Sequence, residues 1–197
     1  MEQHPDWVLG FEDEVWWSRV AQPALHSWSA DGQPLHLVEQ TVANTDPDPK
    51  ALACYGVLLR QPQQADRLWL RFVDGRPVSV ITTQFLAWGC AKLGQQHVPV
   101  WVLIWDNASW HLSKVVRTWI RDHNRAVKRT GQGTRLLVCA LPSKSPWLNP
   151  IEPKWVHGKR ALVEPARLLT AQEVADRVCA YYACPHENHL TIPEKVA

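Results

Sequence analysis

No apolar run in the chain is long enough to cross a bilayer, and its start lacks a basic, apolar leader. "MEQHPDWVLGFEDEVWW" places acidic residues and tryptophans where a secretory signal carries its hydrophobic stretch. The expectation is a soluble, cytoplasmic protein with no membrane partner. Charge of one sign is also missing: 21 Lys and Arg face 19 Asp and Glu, a net charge of +2, so bulk charge by itself names no partner. Cysteine is sparse, five residues, odd in number and mostly scattered, which excludes a disulfide framework and fits a reducing compartment. No GxxxxGK[ST] cradle and no GxSxG elbow occur, so nucleotide-switch and serine-hydrolase chemistries lose their main signals. There is no internal repeat and no low-complexity segment.

What is present suits one sizeable core. With 197 residues, 46% of them hydrophobic, a single domain over residues 1–197 is expected. Twelve tryptophans against three phenylalanines supply large core and rim contacts, and an exposed one can stack on a nucleic-acid base. "DWVLGFEDE" reads as a strand with Leu9, Phe11 and Asp13 on one face. "DGQPLHLVEQTVANTDPDPK" reads as loops around a short strand, and "ALACYGVLLR" and "RLWLRFVDGRPV" as a strand pair joined by "QPQQAD". "SVITTQFLAWGCAKLG" has helical spacing, and "VPVWVLIWD" should be a strand buried on both faces. "SKVVRTWIRDHNRAVKR" reads as an amphipathic helix with Val115, Trp119 and Ile120 inward and Arg117, Arg121 and Arg125 outward. "TRLLVCALP" reads as another buried strand, and "NPIEPKWVHGKRALV" and "TAQEVADRVCAYYA" as closing helices. This order predicts an α/β fold, a mixed sheet with helices on both faces.

Three carboxylates stand out by position. Asp13 and Asp106 are read at the ends of buried strands, where open α/β sheets place their chemistry, and Glu152 follows just inside a later helix. Converging there they would repel one another unless a hard cation with oxygen ligands intervened. Each has a structural alternative. Asp106-Asn107 also fits a strand-to-helix turn, and Glu12-Asp13-Glu14 also fits a solvated corner. Glu152 also fits N3 of a capping box, with Asn149 as N-cap and Pro150 as first helical residue. A second cluster, Cys179, Cys184, His186 and His189, offers softer ligands of the kind zinc takes, although all would come from one short tail.

The segments "FEDEVWW", "WDNASWH" and "LPSKSPWLNPIEPKW" resemble the three signature blocks of DDE transposases of the mariner-like and bacterial insertion-sequence group. The resemblance covers most of the chain. It implies a ribonuclease-H-like fold, and it implies that Asp13, Asp106 and Glu152 are the catalytic, metal-binding triad. The 45 residues between Asp106 and Glu152 are more than that family usually shows, and the surplus is expected in the basic loop "NRAVKRTGQGT". Such transposases join a helix-turn-helix half to a catalytic half. Since the chain starts near the first catalytic strand, end recognition is expected from a separate polypeptide, or the chain is a truncated copy.

The resemblance further implies two Mg²⁺ or Mn²⁺ ions roughly 4 Å apart, with Asp13 bridging, Asp106 on one ion and Glu152 on the other. Asn107 and His111 are expected to orient ligands or touch phosphate. DNA phosphates are expected to meet Arg117, Arg121, Arg125, Lys128 and Arg129 along one helix, and Lys144, Lys154, Lys159 and Arg160 around the third block. The implied function is DNA cleavage and strand transfer during transposition. Its partners would be transposon-end and target DNA, with a second copy or a subunit carrying the helix-turn-helix. The rival readings are a non-catalytic DNA-binding or subunit-interaction remnant and a structure-selective nuclease of the same fold.

Overall fold

The computed structural model describes residues 3–20, 42–143, 145–162 and 167–193. The expected loops and short strand of residues 31–50 therefore lie largely outside the described residues. Long strands come first: β1 (Val8–Ser18), β2 (Ala51–Arg60), a continuous apolar run buried on both faces, and β3 (Arg67–Asp74) form an antiparallel meander. α1 (Ser79–Gln95), β4 (Val100–Trp105), α2 (Lys114–Thr130) and β5 (Arg135–Ala140) follow, with β1, β4 and β5 parallel. A 3-10 turn (Pro146–Leu148), α3 (Glu152–Ala161), α4 (Ala171–Tyr181) and β6 (Leu190–Thr191) complete the chain. The sheet order is β5-β4-β1-β2-β3-β6. It is the α/β, ribonuclease-H-like mixed sheet expected.

The two faces carry separate cores. Val8, Tyr55, Val57, Trp101, Leu103 and Trp105 pack with Ile81, Phe85, Leu86 and Leu93 of α1 and Val116 of α2. Phe11, Val15, Trp17, Leu52, Leu70 and Phe72 pack with Trp155 of α3 and Val174, Ala175 and Val178 of α4. The two-residue period of β1 sends Leu9 and Phe11 to the α3–α4 face, as read from sequence, and carries Val15 and Trp17 there too.

Four details differ from expectation. In β4, Trp101, Leu103 and Trp105 are buried but Val102 and Ile104 only half so, because α3 and α4 cover mainly β1 to β3. β5 is an edge strand whose one fully buried residue is Leu136. In α2, Val116 points inward and Val115 is 51% exposed. The Ser113 hydroxyl accepts from the Val116 N–H and fixes where the helix starts, so 3.6-residue periodicity carries 116, 119, 120, 123 and 127 to the inner side. Finally, α2 continues to Thr130 and stops at Gly131, whose φ of 68° is the left-handed conformation glycine favours at a helix end. Most of the segment expected to be a basic loop is therefore helix, and the loop is only residues 131–134.

Candidate active site

The sheet itself brings the first two carboxylates level. β1 pairs with β4 from Val8 opposite Trp101 to Phe11 opposite Ile104; continued by two residues, that register sets Asp13 beside Asp106. β4 ends at Trp105 while β1 runs on to Ser18, so Asp13 is mid-strand and not at a strand end as expected. The β4 side of β1 opens here into a cleft of about 410 Å³, lined by Asp13, Asp106, Asn107, Ser143, Ser145, Asn149 and Glu152 among others.

The third block reaches the cleft by a route different from the capping box. Asn149 is buried; its side-chain amide donates to the Glu12 carbonyl at 2.9 Å, and its side-chain oxygen accepts from the Ile151 N–H at 3.4 Å. Ile151 is the N-cap of α3 and Glu152 its first residue, so Glu152 lies along the cleft wall and does not fold back at N3. A reciprocal capping box does occur, between Thr170 and Glu173 at the start of α4.

The three carboxylates are held differently. Asp13 Oδ2 accepts from Trp155 Nε1 at 2.8 Å. Trp155 fits there because Gly56, the β2 partner of Asp13, has no side chain; a Cβ at Gly56 would collide with the indole. Burial first, then the nearby Glu152 carboxylate, push the Asp13 pKa up to about 7, with the Trp155 hydrogen bond opposing. Glu152 is also raised, by burial and by Asp106. Asp106 is lowered, chiefly by the hydrogen bond from His111. Its Oδ1 accepts from the Ala108 N–H at 2.8 Å and lies 2.9 Å from His111 Nδ1. The turn geometry expected of Asp106-Asn107 is therefore real, and it occupies one oxygen only. Asn107 donates to the Leu141 carbonyl at 2.6 Å and ties the ends of β4 and β5.

His111 is 1% exposed and stacked on Trp105 with ring centres 4.3 Å apart, so its ring is enclosed and held against Asp106. Its Nε2 lies 3.1 Å from Glu14 Oε1 and 3.4 Å from Glu12 Oε2, the latter an ion pair without hydrogen-bond geometry. Burial opposes charge on the ring, yet the Glu12 carboxylate and the hydrogen bonds to Asp106 and Glu14 hold its pKa up at about 11. Glu12 is pushed well above the usual carboxylate range, first by burial and then by Glu14. Glu14 also accepts from Trp110 Nε1 at 2.6 Å. Among the described residues, Glu12, Glu14 and His111 are the group whose ligand atoms all lie within 4.8 Å of one another. The acidic triplet is thus no solvated corner: Glu12 is 1% exposed.

Sequence reasoning missed Glu12, Glu14, Trp110 and Trp155. The signal for the first two was present, since strand alternation sends the neighbours of Asp13 to the opposite face, where "DNASWH" delivers a histidine. It also passed over Trp147, 75% exposed on the 3-10 turn between the cleft residues Ser145 and Asn149.

The basic residues divide between the faces. Arg117, Arg121, Arg125, Lys128 and Arg129 are exposed on α2, with Arg121 and Arg125 both paired to Asp122. Lys154, Lys159 and Arg160 are exposed on α3, on the other face; Lys144 lies outside the described residues. The Cys179, Cys184, His186 and His189 group does not converge on one point. The Cys179 thiol hydrogen-bonds Cys184, which lowers the Cys184 pKa, while the two histidines are tied to aspartates.

Set beside known proteins, residues 11–175 match the family model described as DDE superfamily endonuclease. Among solved structures, the Mos1 transposase paired-end complex with left transposon end aligns at a TM-score of 0.60 and 18% identity, over 91% of this chain and 48% of that one. The Mos1 strand transfer complex aligns at 0.58 and 18%, over 94% and 49%. The Mos1 paired-end complex with Mg aligns at 0.55 and 17%, over 90% and 48%. The chain spans about half the length of these neighbours, and at such identities the likeness is one of fold. No curated protein matches the chain.

Proposed function

The chain belongs to the DDE superfamily of endonucleases, and from that premise we propose that it is a transposase catalytic domain that cuts DNA and joins strands during transposition of an insertion sequence. The observation that carries the reading is the single cleft lined by Asp13, Asp106 and Glu152. These residues suit a hard divalent cation. They offer oxygen donors only, and both the burial that chiefly lifts Asp13 to about 7 and the added repulsion from Glu152 are what a bound cation offsets. Mg²⁺ or Mn²⁺, as two ions, would activate the attacking oxygen and stabilise the leaving one.

The protein supplies position. Asp106 is locked by Ala108 and His111, which leaves Oδ2 free to face the cleft; Asp13 is aimed by Trp155; Glu152 rides on a helix start that Asn149 pins to β1. Arg117 and Arg121 at the near end of α2, with Lys154 and Lys159 on α3, grip phosphates on either side of the cleft. Arg160 belongs to the α3 side of that grip. Arg125, Lys128 and Arg129 follow α2 away from it, since its 17 residues span about 25 Å. Trp147 offers an indole face on which an unpaired base near the cut can stack. In the cytoplasm the working unit would pair with a second copy or a subunit carrying a helix-turn-helix.

The test is nicking of supercoiled DNA with Mg²⁺ or Mn²⁺ by the wild type and by Asp13→Asn, Asp106→Asn and Glu152→Gln. Each substitution should abolish nicking and leave DNA retention on a filter nearly unchanged. Equal nicking by Asp106→Asn would overturn the triad.

A further inference from the structure

Far from the cleft, the segment between α4 and β6 carries His186 and His189, whose Nε2 atoms face each other at 3.3 Å. Each ring is fixed from behind. His186 Nδ1 lies 2.7 Å from Asp176 Oδ1 on α4, and His189 Nδ1 lies 2.6 Å from Asp74 Oδ1 at the end of β3. A carboxylate only accepts, so each Nδ1 carries a proton and the two Nε2 atoms are left to share either a proton, as a hydrogen bond, or a metal ion. The same orientation that lets one Nε2 accept from the other presents both to an ion placed between or beside them. Two nitrogens on a tetrahedral zinc, at ~2.0 Å from the metal, stand about 3.3 Å apart.

We propose that His186 and His189 form a site for a divalent transition ion of the zinc type, with Asp176 and Asp74 as the carboxylates that orient the ligands. Imidazole nitrogen selects zinc, nickel or copper over magnesium, so the site differs in ion as well as in place from the carboxylate cleft. Both rings pack against Phe72, which holds them rigid, and their side chains are 21% and 24% exposed, leaving room for water in the remaining positions. Gln172 donates to both oxygens of Asp176 and steadies that carboxylate. Arg71 and Lys92 stand on the same side, but both are paired with Glu187. The thiols of Cys179 and Cys184 are engaged with each other and are not needed as ligands. Because Asp176 belongs to α4 and Asp74 to β3, a bound ion would fasten the last helix to the far edge of the sheet.

The test is calorimetric titration of metal-free protein with Zn²⁺ in millimolar Mg²⁺, which occupies the carboxylate cleft, with Co²⁺ absorption as a second readout. The wild type should bind one equivalent with tetrahedral Co²⁺ bands, and Cys184→Ser should keep that event. His186→Ala and His189→Ala should lose it. Asp74→Asn and Asp176→Asn, which keep both ligands, should weaken it ~10–100-fold. Stoichiometry and affinity unchanged in the histidine variants would overturn the site, as would a wild type without saturable Zn²⁺ binding, in which case the two rings share a proton. If an alanine variant fails to fold by circular dichroism, the aspartate variants decide, and affinity equal to wild type in both overturns the site.

Discussion

The two walls of the cleft solve the same problem in opposite ways. On the β4 wall, Asp106 leans on a buried imidazolium that is itself held by Glu14 and Glu12, so its charge is met before any ligand arrives. On the α3 wall, Asp13 has one indole N–H and Glu152 nearby, and its charge is opposed. The difference separates rigidity from demand. The β4 wall is preorganised by the protein, whereas on the proposed function the α3 wall would be completed by a cation, and the affinity of the cleft for metal would then originate mainly at Asp13 and Glu152.

The largest effect should come from breaking the preorganised wall. His111→Ala leaves Glu14 and Glu12 buried without an opposing charge and should cost about 3–5 kcal/mol in urea unfolding. Adding Glu12→Gln should return part of that loss; strictly additive effects would show that the two residues are not coupled. Next, Asn149→Ala should lose about 1–3 kcal/mol, because the buried Glu12 carbonyl loses its donor; unchanged stability would remove the pin between α3 and β1.

The pH response sharpens the contrast further. The folded pKa of Asp13, about 7, exceeds the unstructured value of 3.8, so the folded state keeps a proton that the unfolded state has lost. Its contribution to stability is fully present below about pH 4 and is lost as pH rises through 7. Without metal, the melting temperature relative to Asp13→Asn should therefore fall between pH 5 and 8. Mg²⁺ should raise it more at pH 8 than at pH 6, and an equal rise at both would separate Asp13 from the metal. The smallest effects concern DNA: Arg117→Ala should weaken retention several-fold and reduce its salt dependence, and Lys128→Ala should change it little. The reverse order would move the DNA path to the far end of α2.

Much of this was legible in the chain. The strand and helix order, the face shared by Leu9 and Phe11, and three carboxylates in recognisable blocks all follow from local pattern. What was not legible depended on phase or on partners distant in sequence. Val115 and Val116 are equally apolar, and only the Ser113 cap decides between them. The Asn149 side chain could cap a helix or cross to β1, and the choice rests on a carbonyl 137 residues away. The Glu12-Glu14-His111 cluster needs β1 and the turn after β4 to be adjacent, which is a property of the sheet order.

The placement of α2 has one last consequence. The helix is anchored at Ser113, beside the cleft, and extends toward Gly131 at the opposite end of the sheet. Residues added there lengthen the molecule's back and leave its mouth unchanged, as a drawer can be deepened without altering its front. The count of residues between Asp106 and Glu152 is then free to drift without moving the carboxylates that line the cleft.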